Sequence, residues 1–313
     1  MLTDTPVRAE AGTSPPPVKP ARKPRMPQWF WGVLLVLPSA VLVIGVIAVP
    51  IAYLARLSLT DAHAYLPRIN DVGLGNFADL AASPQFWQSL RTTVVYATLT
   101  VAIQLALGVV VALLMHQKFR ARGLVRLIAI APYMIPAIIV ALVWRWLLEP
   151  NNGAYSWIVR NVIPGADQVN LLSPTWIFVS LVVVSVWMYT PFVVISVLAR
   201  LQTIDLSIIE AATVDGAGPW RRFWAIILPE LSPVLLTLVL LRFMFMFTKF
   251  DIVYLFAGTG QEVRTLPLLT FQTIFGESRL GAGATLAMVM FGLLVIFTTV
   301  YLRTMHRRSE ETE

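Results

Sequence analysis

The chain has 313 residues, 57% of them hydrophobic and only 13% charged, with a mean hydropathy of +0.73. A soluble domain carries about twice that charged fraction, so composition excludes an ordinary soluble protein and points to a single integral membrane domain. Lys and Arg (24) exceed Asp and Glu (17), and there is no cysteine. In so apolar a chain the basic excess reads as loops retained on the cytoplasmic side rather than a nucleic-acid surface. The missing thiols exclude disulfides, thiolate metal sites and cysteine nucleophiles.

Residues 1–28 interleave seven prolines with Arg8, Lys19, Arg22, Lys23 and Arg25. They hold too little apolar surface to pack, and the expectation is a disordered basic tail. The apolar run 29–54 is longer than a signal-peptide core and no small-residue cleavage site closes it. It is expected to be an uncleaved first span, anchored at the interface by Trp29, Phe30 and Trp31.

Five more apolar runs follow, at 92–115, 124–148, 174–198, 233–256 and 284–302. Each matches the roughly 20 residues that cross a bilayer, so the chain is expected to be an all-α, six-span membrane protein. Taking the tail as cytoplasmic places its five basic residues inside. Lys118, Arg120, Arg122, Arg126, Arg200, Arg221, Arg222, Arg303, Arg307 and Arg308 join them, making fifteen of the 24. Seven fall outside (Arg56, Arg68, Arg91, Arg145, Arg160, Arg264 and Arg279), while Arg242 and Lys249 lie within the fifth run. That asymmetry predicts both termini in the cytoplasm. Pro38, Pro50, Pro132, Pro136 and Pro191 fall inside spans. Each removes a backbone hydrogen bond, and the freed carbonyls need a partner or a wet cavity, which favours a transporter over a passive anchor.

Site chemistry is sparse. None of the four lysines follows a glycine, so there is no nucleotide-binding P-loop. His63, His116 and His306 lie in or beside different loops without ligand spacing, and read as solvated. There is neither a G-x-S-x-G elbow nor a carboxylate pair placed for acid–base work, so an enzyme has little to stand on.

The stretch 210–229, EAATVDGAGPWRRFWAIILP, is different in kind. Asp205 can cap a short helix from Leu206, with Ala211 and Ala212 as good formers. Gly216 and Gly218 permit a tight turn. Pro219 suits the first position of a second helix, 220–228, and Pro229 and Pro233 then steer the chain into the fifth span. Glu210, Arg221 and Arg222 supply charge, while Ile208, Ile209, Trp220, Phe223 and Trp224 supply apolar area. Such a mixture suits a protein contact, and equally an interfacial hairpin touching headgroups.

The stretch resembles the EAA loop of binding-protein-dependent ABC importer permeases: E-A-A, three residues, G, nine residues, I-x-L-P. Glu210, Ala211, Ala212, Gly216, Ile226, Leu228 and Pro229 fall on those positions, with Asp215 and Ala217 as the family prefers. Further segments are similar to carbohydrate permeases of the maltose and glycerol-phosphate type, most like the first of their two permeases: SLTDA from Ser58, VGLGNF from Val72, 187–217, FDIVYLFAGTG from Phe250 and GAGATLAMV from Gly281. Asp205 stands where the family commonly has proline, and AGTGQ replaces a more usual TGGGP.

The resemblance implies a disordered tail at 1–28, a permease domain at 29–306 with its coupling loop at 200–230, and a cytoplasmic tail at 307–313. It implies a subunit of a cell-membrane importer for a sugar, oligosaccharide or related derivative, partnered by a second permease, two copies of an ATPase and an extracytoplasmic solute-binding protein. ATP and magnesium would sit on the ATPase, with no cofactor on this chain. The coupling hairpin would dock into the ATPase and rock the spans around a central cavity. By position, Trp187, Tyr189, Arg242 and Lys249 are the expected substrate-pathway residues. Arg242 and Lys249, seven apart, are expected on one helix face, with Asp251 pointing elsewhere; Arg145 and Glu149 read as a local ion pair. The alternatives are an importer for a non-sugar solute and an ion-coupled carrier. The carrier would want acidic residues in mid-span, and none stands at a convincing depth.

Overall fold

The structure, a computed structural model, describes residues 28–66, 69–117, 119–163, 169–258, 260 and 262–310. The Pro-rich tail up to residue 27, the assignments of Arg68 and Lys118, and residues 311–313 lie outside them. The chain divides between Ile51 and Ala52 into two units. In the first, the described residues begin the helix α1 (Gln28–Leu57), which runs unbroken through Pro38 and Pro50. Its Leu35 and Leu42 side chains are exposed, as is Trp29, whose ring meets Phe30 edge-on.

In the second unit, α2 (Gly75–Ala82) leads into α3 (Pro84–His116), which opens with Pro84 at its first position and Ser83 as its cap. Next come α4 (Arg122–Met134), α5 (Ala137–Leu147), α6 (Ala154–Val162) and α7 (Ile177–Leu201). The short α8 (Leu206–Val214) and α9 (Pro219–Arg222) precede α10 (Leu228–Phe247). Two small helices, α11 (Asp251–Ala257) and α12 (Leu266–Phe271), precede the long α13 (Leu280–Glu310). Among the described residues, five helices are long and apolar enough to cross a membrane, or six if α4 and α5 form one span.

Two expected spans take a different form. The third is broken rather than kinked: α4 and α5 meet at 100° across Ile135 and Pro136. Pro136 has no N–H to continue the ladder and forces the preceding residue into extended backbone. The fifth span is displaced toward the N-terminus. It runs without a break from Pro219 to Phe247 and stops at Thr248, so residues 251–256 belong to the separate α11. Continuity past Pro229 is achieved by a π-helical turn at Phe223–Ile227, in which the Leu228 N–H reaches back to the Phe223 carbonyl. Widening the turn by one residue relieves the proline's clash with the carbonyl four residues back.

α7 is the axis of this unit, buried over most of its length. It packs most closely on α3 at Gly108, where an added Cβ would lie 2.4 Å from Val193 Cγ1. One apolar core gathers Tyr96, Leu181, Val184, Ile252, Phe256 and Leu266. A second gathers Ala112, Met115, Val197, Leu201 and Leu231 beside the 200–230 segment.

At the end opposite that segment, three of the sequence stations close into one corner. Asn76 donates to the Ser58 and Thr60 carbonyls (2.9 and 2.8 Å), and the Thr285 hydroxyl donates to Ser58 (3.1 Å). The Gly281 N–H donates to the Ala62 carbonyl (2.9 Å). A Cβ on Gly281 would fall 2.0 Å from the Thr60 carbonyl oxygen, so only glycine fits.

Candidate functional site: an exposed hairpin and a buried polar seam

The 205–230 segment folds as a helix, a glycine turn and a second helix. Asp205 is the N-cap of α8, its Oδ1 accepting from the Ser207 N–H at 2.9 Å. That backbone N–H holds the Asp205 carboxyl below the usual carboxylate range. The helix ends in a Schellman turn: the Ala217 N–H reaches the Ala212 carbonyl (2.9 Å) and the Gly216 N–H the Thr213 carbonyl (3.1 Å). Gly216 sits at φ +78, where a Cβ is strained. Gly218, expected to share that role, does not: its φ of -66 is open to any residue. Ala212, Gly216 and Ala217 are thus the residues from which the turn itself is built.

The hairpin sorts its side chains sharply. Ile209, Phe223 and Ile227 pack against the second core, which holds the hairpin to the bundle. Leu206, Ile208, Val214, Trp220 and Trp224 are exposed, Val214 at 87% and Trp220 at 74%. Glu210, Ala211, Asp215 and Pro229 are also exposed, while Ala212, Ala217, Ile226 and Leu228 are half-buried. Arg222 ties the two arms together, donating to the Thr213 hydroxyl at 2.7 Å. The outward apolar area of Val214 and Leu206 is absent from the sequence reading, which has no means of telling the faces of so short a helix.

The candidate pathway residues divide. Arg242, on α10, is the only buried charged side chain among the described residues. Its Nε and Nη2 both donate to Gln104 Oε1 on α3 (3.0 and 2.9 Å). Its guanidinium also lies 5.2 Å from the Tyr189 ring centre and 5.7 Å from that of Phe192. Lys249 stands beyond the end of α10 rather than on its face, yet its Nζ meets the same Tyr189 ring at 4.9 Å. Asp251, expected to point away, pairs with Lys249 at 3.1 Å, because the chain turns between α10 and α11. The seam continues through Tyr96 and Ser185, whose hydroxyls lie 2.8 Å apart. The Tyr189 hydroxyl is buried and has no hydrogen-bond partner among the described residues.

Trp187 is not part of this seam. Two residues from Tyr189 on a helix of 3.6 residues per turn, it faces the other side of α7. It meets Trp144 edge-on at 5.5 Å and lines an apolar groove of about 560 Å³ with Pro132, Pro191 and neighbours from α3 and α4. Thr190 in that groove spends its hydroxyl on the Val186 carbonyl, and apart from Thr190 and the Trp187 indole the groove's lining is apolar. Nor do Arg145 and Glu149 form the expected ion pair. Arg145 donates to the Phe256 carbonyl (3.2 Å), and Glu149 caps the following turn through the Asn151 and Asn152 N–H groups. Gln104, Tyr96 and Ser185 are seam residues that the sequence reading missed; for Gln104, a lone amide within an apolar span was the only signal.

The exposed hairpin thus lies at one end of the bundle, and the buried cationic seam lies between its helices. The family model described as "Binding-protein-dependent transport system inner membrane component" matches residues 104–310. The chain belongs to this family. Among its relatives, the trehalose/maltose transport system permease MalF of Thermococcus litoralis is 33% identical over 275 residues, covering 87% of this chain and 92% of that one. The inner membrane ABC transporter permease YcjO of Escherichia coli is 34% identical over 282 residues, covering 87% and 92%. The fold matches a chain of the bacterial ABC transporter that imports alginate, at a TM-score of 0.77 and 20% identity over 89% of this chain and 96% of that one. The protein is therefore an inner-membrane ABC importer permease, a transport component.

Proposed function

We propose that this permease is half of the translocation pathway of an ATP-driven carbohydrate importer, and that the hairpin at 200–230 receives the stroke of a separate ATPase. The carbohydrate assignment rests on relatives named for trehalose and maltose (33% identical) and for sulfoquinovosyl glycerol (33% identical over 294 residues). The partners are a second permease, two ATPase copies carrying ATP and magnesium, and an extracytoplasmic solute-binding protein. Both termini and the hairpin face the cytoplasm.

The single observation that carries the coupling role is the outward face of the hairpin. Val214, Trp220 and Trp224 are exposed around the Glu210–Ala211 and Asp215 positions. An exposed aromatic centre with a charged rim is the composition of a docking surface. Solute crosses beside the seam of Tyr189, Arg242 and Lys249, because ionisable groups inside spans are costly and are kept for function. Trp187 contributes from the other face of α7.

The test is reconstitution with the partner subunits in proteoliposomes. The chain alone hydrolyses no ATP; the assembly hydrolyses ATP and takes up sugar. Glu210→Lys leaves the protein in the membrane and abolishes uptake. Normal uptake by that variant sinks the coupling role, and an assembly that carries amino acids but no sugar sinks the cargo assignment.

A further inference from the structure

The hairpin leaves the bundle at Leu201 and returns at Leu228, and each root continues into a different span. A push on it would reach α7 and α10 separately, the second through a π-turn, a single-turn departure from α-helical geometry. One side chain spans the gap. Arg200, in the last turn of α7, donates through Nη2 to Glu230 Oε2 at 2.8 Å and through Nε to the Glu230 carbonyl at 2.9 Å. Its third nitrogen, Nη1, donates to the Thr203 hydroxyl (3.2 Å), and that hydroxyl returns a bond to the Arg200 carbonyl (2.8 Å). Glu230 lies on the α10 side of the π-turn, so the connection bypasses that turn. Beneath it, Leu201, Ile204 and Leu231 are buried together in the second core.

We infer that Arg200 and Glu230 are a positioning pair, a clamp that joins the two roots of the hairpin so that α7 and α10 move as one body under the ATPase stroke. The inference rests on the coupling reading above. Two features set the pair apart from an ordinary surface ion pair, which contributes little. The guanidinium holds a backbone carbonyl as well as the carboxylate, which fixes direction as well as distance. The pair also joins residues 30 apart across the entire hairpin.

The absence of cysteine from the chain makes the test direct. Spin labels are placed on the exposed Gln202→Cys and Ser232→Cys, one on each root, in the complete transporter with its partner permease, ATPase and binding protein. The distance between them is read without nucleotide and with ATP and vanadate. With the clamp intact the distance is the same in both states. In Arg200→Ala and Glu230→Ala an ATP-dependent shift appears, and the exchanged pair Arg200→Glu with Glu230→Arg removes most of it. A pair that merely stabilises the fold would broaden the distance equally in both states, and that result, or no change in either variant, overturns the clamp. Should the alanine variants fail to assemble, the near-isosteric Glu230→Gln gives the same reading with a smaller shift. Adding Glu210→Lys separates the two levels. If the Arg200→Ala shift vanishes with it, the force enters through the hairpin. If the shift persists, the coupling reading fails while the clamp stands.

Discussion

The hairpin and the seam treat polar and apolar groups in opposite ways. On the hairpin, Trp220 and Val214 face outward and nearly every charge is exposed. In the seam, a guanidinium is buried to 4% exposure, with a glutamine and aromatic rings for company. Each arrangement is costly for an isolated chain. Exposed aromatic residues forgo apolar burial worth roughly 25 cal/mol per Å², and a buried charge without a carboxylate forgoes solvation. On the coupling reading proposed above, the hairpin's deficit is removed by the ATPase that covers it. The seam's is offset from within, by Gln104, by Tyr189 and by the packing of three helices around them.

That contrast predicts where stability and activity come apart. The largest effect on folding is expected from Gln104→Leu. It leaves Arg242 buried without its acceptor and should cost about 1.5–3 kcal/mol, the range for a hydrogen bond to a charged group, read as a lower melting temperature of the purified permease. Gly108→Leu comes next. Forcing a side chain against Val193 should cost about 1–3 kcal/mol as overpacking, by the same measurement. Gly216→Ala should cost about 1–2 kcal/mol locally for its left-handed backbone and lower uptake through a misaimed hairpin. Gly218→Ala should change neither, and an equal loss at both glycines would contradict the geometry of the turn. Trp220→Ala should leave the melting temperature where it is and weaken ATPase binding, since that ring packs on nothing of the bundle core.

The smallest effect concerns pH. The Asp205 carboxyl is held below its ordinary value, so its contribution is present above the unfolded value of about 3.9 and is lost as pH falls through the lower folded value. Amide exchange at Ser207 should quicken only in that acidic window, and Asp205→Asn should remove the dependence.

Much of this was legible in the chain itself, for identifiable reasons. Spans announce themselves because lipid demands about 20 apolar residues in a row; the runs ending near Met115 and Leu302 fall inside α3 and α13, and all but the first three residues of the run ending at Leu198 fall inside α7. The turn of the hairpin was legible because capping and left-handed glycine are local properties of a few adjacent residues: Asp205 caps and Gly216 turns. The break at Pro136 and the early end of the fifth span were harder. The choices between kink and break, and between a loop and a π-turn, are made by the helices packed alongside.

Composition, the spacing of apolar runs and the EAA pattern were therefore enough to establish a multi-span permease and its hairpin, since each depends on neighbours within one or two helical turns. Contacts across long separations were set by folding alone. Arg242 lies 138 residues from Gln104 and Arg200 lies 30 from Glu230, and no periodicity links such pairs. Lys249 left the face of α10 for the same reason. A side chain's partner depends on which helix packs against its own, and that is a property of the assembled bundle.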